Sequence, residues 1–460
     1  MIPDADQLLT PRFFFTEPWE PIVVRRGDAL GMRALADQFA DAVAPDLSNR
    51  VRDGRWVTIL AWCLAKSHDV FHASGGRSVA TPLQQRERYA WLRPLELMWV
   101  ARTIAVAEAE DDWKGRSLSG QRRVQSWWKA IKSGKPAPSQ FGMKKDQFRA
   151  YRQTGLYGGY RLAFRRWPGM TVQGDGWTPG KATRDLEKWL DHGLGRARRI
   201  GIISPQSAKL NRGKEHQFWL RNWPSFHQGG KNADENTLPR PNDNYDVLPE
   251  ADLLKPLIFG RDKFGTRREK VARAVSKSTA TDHLQVCEHL SDVFADEDQR
   301  IALLPRFSRL ADAGMAVMDF VASELRKENS VAISHVAKIP EAAELCVELV
   351  QAAQGWPKAA DLRIRHLETA DRFAEKFKKD QPEACLRALL QHHELNGGGL
   401  RWFVLRNNRI ELSMPPRSGT SRYRFRLWPL CRLATQCGVL NAMPSALLDD
   451  DVTTTDEESE

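Results

Sequence analysis

A chain of 460 residues with 42% hydrophobic and 28% charged positions can bury two or three cores of ordinary size, which excludes a wholly disordered chain and a small domain that needs staples. The formal net charge of +11 favours an anionic partner over a cationic one. Six cysteines, Cys63, Cys287, Cys346, Cys385, Cys431 and Cys437, form neither a CxxC pair nor zinc-finger spacing with histidine, so no metal or cofactor is expected and a reduced, cytoplasmic setting fits best.

Residues 1–110 read as an N-terminal helical domain behind an entry punctuated by Pro3, Pro11, Pro18 and Pro21. Residues 1–16 lack the basic-then-apolar order of a signal peptide. Leu30, Met32, Leu35, Phe39 and Val43 have helical spacing, and Asn49 is placed to cap a second helix through Trp56, Leu60, Leu64 and Phe71. Thr81 and Pro82 predict the start of a third helix, which Pro94 should kink. The longest apolar stretch, 89–107, is broken by Arg93, Glu96 and Arg102, so it predicts a buried helix and no membrane partner.

Residues 111–200 form a basic, tryptophan-rich helical segment. Short helices are expected over 117–132, 144–154 and 161–167, with a turn at 155–160 and a further helix from Thr178 and Pro179 to about His192. Residues 201–280 read as a loop-rich linker region, with 228–245 dense in Gly, Asn, Asp and Pro. Residues 281–398 read as an acidic bundle of amphipathic helices broken at Pro305, Pro340, Pro357 and Pro382, with no fixed repeat. In 399–445, strand-like runs over 400–405 and 409–413 flank Asn407 and Asn408, a hairpin signal, and 423–437 alternates arginine with aromatic residues before turning helical. Residues 446–460 make a disordered acidic tail. The fold class is therefore mainly α and multi-helical, with a small C-terminal β-hairpin compatible with a winged-helix-like unit.

Charge is segregated along this order. Residues 114–199 hold twenty Lys or Arg against five Asp or Glu; 399–437 hold eight arginines against Glu411 alone; 280–400 hold fourteen basic against twenty acidic residues; and the last twelve positions carry seven carboxylates. Arginine-rich stretches suit phosphate and base edges, because the guanidinium fork is planar and always charged. The candidate nucleic-acid contacts are Arg122, Arg123, Trp127, Trp128, Lys129, Lys144, Lys145, Arg149, Arg152, Arg161, Arg165, Arg166, Lys181, Arg422, Arg424 and Arg426. Trp127, Trp128, Trp167, Trp177, Trp189, Trp219 and Trp223 are also available in type for stacking on unpaired bases, although each has a core role as its ordinary alternative.

Other constellations are weaker. Gly174, Gly176 and Gly180 before Lys181 could present backbone N–H groups to phosphate, yet the spacing is not that of a Walker A loop and Ala182 follows the lysine, so a structural turn is the favoured reading. His216, Asn222 and His227, and His392, His393 and Glu394, are where a metal-dependent nuclease would place its ligands, but no complete nuclease pattern surrounds them and solvent-facing or capping histidines are expected. No catalytic motif has the spacing its chemistry requires, and the reading leans to binding over catalysis.

Three segments carry a resemblance: Asp46-Leu47-Ser48-Asn49-Arg50 onward to Ala65, Arg88-Tyr89-Ala90-Trp91-Leu92-Arg93-Pro94, and Leu400-Arg401-Trp402-Phe403 with Tyr423-Arg424-Phe425. They resemble uncharacterised bacterial proteins encoded near helicases and phospholipase-D-like nucleases in phage-defence islands. The likeness covers a minor part of the chain and transfers no functional residue; it implies a DNA-associated accessory subunit with a helicase or nuclease as protein partner. Two alternatives stand beside it: a metal-dependent nuclease, and a structural scaffold whose basic face binds an acidic protein.

Overall fold

A computed structural model describes residues 28–73, 156–193, 246–357, 363–378, 381–396, 401–413 and 423–448, with short runs between 88 and 103. The described chain is mainly helical. Its helices are α1 (Arg33–Val43), α2 (Gly54–Ala73), α3 (Leu156–Arg166), α4 (Lys181–Gly193), α5 (Ala251–Ile258), α6 (Lys263–Lys277), α7 (His283–Phe294), α8 (Gln299–Lys327), α9 (Ile333–Val336), α10 (Pro340–Gln354), α11 (Leu367–Ala374), α12 (Pro382–Asn396) and α13 (Leu427–Gln436). Three strands, β1 (Ser330–Ala332), β2 (Phe403–Arg406) and β3 (Arg409–Leu412), form one antiparallel sheet in the order β1-β3-β2.

Local sequence explains where several helices begin. Asp262 accepts from the N–H groups of Phe264 and Gly265, Asp282 from that of Gln285, and Asp298 from that of Arg300, so α6, α7 and α8 each start on an aspartate that satisfies otherwise orphaned donors. Such a cap contributes about 1 kcal/mol. The second helix starts differently from the sequence expectation. It begins at Gly54, and Asp53, not Asn49, takes the Arg55 N–H at 2.8 Å.

Packing overrides local signals in two further places. The turn expected over 155–160 is helix: α3 runs through Gly158 and Gly159 because Tyr157 and Tyr160 are buried and the Glu96 carboxylate accepts the Tyr157 N–H at 3.1 Å. Gly159 also lets α3 approach Arg50, whose Cβ would stand 3.0 Å from an added methyl. Pro305 does not break the acidic bundle but lies inside the 29-residue α8. A mid-helix proline costs roughly 3 kcal/mol. Burying Leu304, Phe307, Leu310 and Met318 on that same helix offsets it, at about 1.5–3 kcal/mol for each large side chain. Pro340 and Pro382 instead open α10 and α12, where a missing N–H is harmless.

The long helix α8 is the spine, packed by α7, α10 and α1, while α4 lies along α2. One hydrophobic cluster runs from Leu30 through Phe39, Trp62, Phe164, Phe307 and Leu390 to Leu447. The hairpin is as expected in its strands and tip: Asn407 (φ 48°) and Asn408 (φ 62°) are both left-handed, as a two-residue turn requires. Its third strand was not foreseen. β1 is three residues long, too short to show an alternation, and pairs Val331 with Ile410 so that both are buried. Among the described residues no helix is long and apolar enough to cross a membrane, and all six cysteines are free and buried.

Candidate nucleic-acid interface

Ten of the sixteen candidate contacts lie outside the described residues: Arg122, Arg123, Trp127, Trp128, Lys129, Lys144, Lys145, Arg149, Arg152 and Arg422. The same holds for Trp219, Trp223, His216, Asn222 and His227. The remaining six fall into two groups with different surroundings.

The first group sits on α3 and the start of α4. Helix α3 buries Tyr157, Tyr160, Ala163 and Phe164, and its spacing then turns Arg165 and Arg166 outward. Arg165 donates through Nε to the Gly174 carbonyl at 3.3 Å, and the Arg166 guanidinium, 61% exposed, is 3.9 Å from the Asp46 carboxylate. Lys181 is exposed at the first position of α4. Arg161 is different: it lies over the Trp177 ring, 5.0 Å from the centroid, and burial pulls its pKa below the ordinary arginine value. It serves the packing of α3 against the following loop, while Arg165, Arg166 and Lys181 keep their charges in solvent.

That loop resolves the glycine-rich segment as a structural turn. The N–H groups of Gly174, Asp175 and Gly180 go to the carbonyls of Thr171, Val172 and Met170. Those of Trp177 and Thr178 go to Asp175 Oδ1, and that of Gly176 to Thr171 Oγ1. Donors already engaged in this way are not available to a phosphate. Gly174 (φ 68°) and Gly176 (φ 75°) are there for backbone conformation.

The second group, Arg424 and Arg426, is a correction. An alternating strand-like reading points both outward, but Phe425 (φ 48°) and Arg426 (φ 61°) are left-handed and form a tight entry to α13. Phe425 is driven into the core beside Phe39, Phe307 and His283. Arg426 consequently donates to the Asp41 carboxylate and, at 3.4 Å, to the Ala44 carbonyl, with 11% of its side chain exposed. Arg424 lies 3.9 Å from Asp312. These arginines hold α13 to α1 and α8.

Among the described residues, the candidate histidines and tryptophans pack in or against the core. Of the solvent-facing or capping roles expected for them, His392 and His393 do not take the first: both are buried and bond backbone groups, His392 Nε2 the Leu30 carbonyl at 2.8 Å and His393 Nδ1 the Ala29 carbonyl at 2.9 Å. Among the described residues no group of three or more His, Cys, Asp or Glu is placed to hold a metal ion. Trp167 and Trp177 are buried and offer no ring face to a base, and Trp189 sits against Arg55 with 5.4 Å between guanidinium and ring. The sequence reading passed over Arg406 and Arg409, exposed on either side of the hairpin tip, although the Asn-Asn pair that marks the turn also marks them as tip residues. Compared with protein-family models, with curated proteins and with solved structures, the chain matches none.

Proposed function

We propose that this chain is a nucleic-acid-binding accessory subunit, with DNA as its ligand and a helicase or nuclease as its partner in a bacterial complex, an anti-phage system being the setting that the sequence resemblance suggests. The observation that carries the reading is the charge segregation: twenty basic against five acidic residues over 114–199, a field that concentrates polyanions and releases counterions when phosphates bind. Helix α3 supports it by burying its aromatic face and leaving Arg165 and Arg166 in solvent.

Fluorescence anisotropy of the full chain against duplex DNA, single-stranded DNA and RNA, at low and physiological salt with and without magnesium, tests the reading. Binding should be salt-steep and leave the nucleic acid intact. Replacing Arg122, Arg123, Arg165 and Arg166 with alanine should weaken binding to every sequence and flatten the salt slope by up to about 0.9 per lost phosphate contact. No binding at low salt would leave a scaffold for an acidic protein as the better reading, and magnesium-dependent loss of DNA would make the chain a nuclease.

A further inference from the structure

We propose that the acidic C-terminal segment 449–460 docks along a basic stripe on α6 and closes that face to other polyanions; the contact is independent of what residues 114–199 bind. The stripe follows from helical spacing. Lys263, Lys270 and Lys277 recur every seven residues and Arg273 lies between the last two, so at 3.6 residues per turn the four cations fall within an arc of about 80° along about 21 Å of helix. All four are exposed, while Val271, Ala272 and Val275 on the other side of α6 are buried.

The surrounding helices neutralise this stripe poorly. Among the described residues neither Lys263 nor Lys277 has an ion-pair partner; Lys263 rests on the Phe264 ring, 4.8 Å from its centroid. Lys270 stands 3.8 Å from Glu297, both more than half exposed, and that carboxylate also accepts from Arg267 at 3.1 Å. Arg273 pairs at 2.7 Å with Glu269, one turn earlier on the same helix, and is 49% exposed. Water screens such exposed pairs, so another anion exchanges into them readily.

Position, reach and charge select the occupant. Met443, Ser445 and Ala446 line a cavity of about 300 Å³ together with Val275, Ser276 and Ser278, so the residues just before the acidic segment lie beside the C-terminal end of α6. Leu448, exposed, leads into that segment. Twelve residues reach up to about 40 Å, roughly twice the length of the stripe. The seven carboxylates fall in two clusters, 449–451 and 456–460, with centres about 26 Å apart in an extended chain. The first cluster therefore meets Lys277 and Arg273, and the second Lys270 and Lys263. Tethering holds the segment at an effective concentration on the order of millimolar, so contacts that are weak one by one suffice. The neighbouring face is the wrong sign: α7, packed on α6 and on the turn at 445–447, exposes Asp292 and follows the exposed Asp282.

The test is zero-length carbodiimide cross-linking of the full-length protein at about 0.1 M and about 1 M salt, with the carboxylate–lysine links mapped by mass spectrometry. In the monomer at low salt, carboxylates of 449–460 should join Lys263, Lys270 and Lys277 at least about threefold more often than the exposed Lys181, Lys327 and Lys376. The preference should vanish at high salt, where the screening length falls from about 10 Å to about 3 Å. Lys263→Glu/Lys270→Glu/Lys277→Glu should leave the thermal midpoint little changed and speed cleavage after Glu457 and Glu458 by a glutamate-specific protease at least about threefold, because proteolysis follows the open population. Should this variant misfold, the mapping on the wild type still decides. Equal linking of α6 and the other lysines, or a preference untouched by salt, would overturn the docking and leave the stripe open to an external polyanion. Links found in dimers alone would overturn it in favour of a second copy's acidic segment, and equal cleavage of wild type and folded variant would overturn it too.

Discussion

His393 accepts a hydrogen bond from the backbone N–H of Trp402 through Nε2 at 2.9 Å. Its Nδ1 faces the Ala29 carbonyl at 2.9 Å. An amide N–H can only donate and a carbonyl only accept, so the ring is a neutral Nδ1–H tautomer that ties the segment before α1 to the start of the hairpin. Replacing it with leucine keeps the bulk but leaves a buried donor and a buried acceptor unpaired. His393→Leu should lower stability by about 2–4 kcal/mol, read as a shifted urea midpoint at unchanged slope. A midpoint within error of wild type would remove the ring from the framework of the fold.

The same burial gives a pH dependence. His392 and His393 are held below the ordinary imidazole value of 6.5 by desolvation, and His68 is pushed down to about 3 by desolvation with Arg88 and His72 adding to it. The unfolded chain takes up protons near 6.5 while the folded chain resists them. These rings therefore favour the fold fully above 6.5, and their contribution is lost as the pH falls from 6.5 toward the folded values. Urea midpoints should drop between about pH 7.5 and about pH 5, with His393→Leu showing a shallower fall. Equal pH profiles for the variant and the wild type would mean that His393 titrates normally in the folded protein.

The loop between α3 and α4 depends on one close approach. A methyl at Gly180 would stand 2.2 Å from the Gly169 carbonyl oxygen, a backbone atom with no flexible end to yield. Gly180→Ala should cost about 1–3 kcal/mol through local displacement of the loop. Because the loop leads into Lys181 at the start of α4 and its Gly174 carbonyl accepts from Arg165, weaker DNA binding at low salt is expected with it. An unaffected melting temperature would show that the loop adapts freely.

The two arginine groups should separate cleanly on mutation. Arg424→Ala/Arg426→Ala removes contacts to Asp312 and Asp41 and is expected to lower the thermal midpoint while leaving the salt slope of DNA binding alone. Arg165→Ala/Arg166→Ala should do the reverse. The first pair would return to the interface if its loss flattened the slope at constant stability.

Much of the architecture was legible in one dimension because it depends on neighbours in sequence. Apolar residues recur at helical spacing through α1 and α2, and the Asn407-Asn408 pair can take the left-handed angles of a tight hairpin turn, whereas α5 and α6, the latter started by Asp262, lie inside the 201–280 stretch that the sequence reads as a loop-rich linker. The charge segregation is also a property of sequence alone. What the tertiary structure decided was direction and context. Pro305 stays inside a helix and Gly158 and Gly159 join one because distant side chains bury against them; β1 becomes a strand only because β3 lies beside it. Arg424 and Arg426 turn inward because Phe425 is drawn into a core built from α1 and α8, whereas Arg406 and Arg409 remain in water because their strands end where the core does. Residue type supplied the cations, and long-range burial chose which of them face solvent.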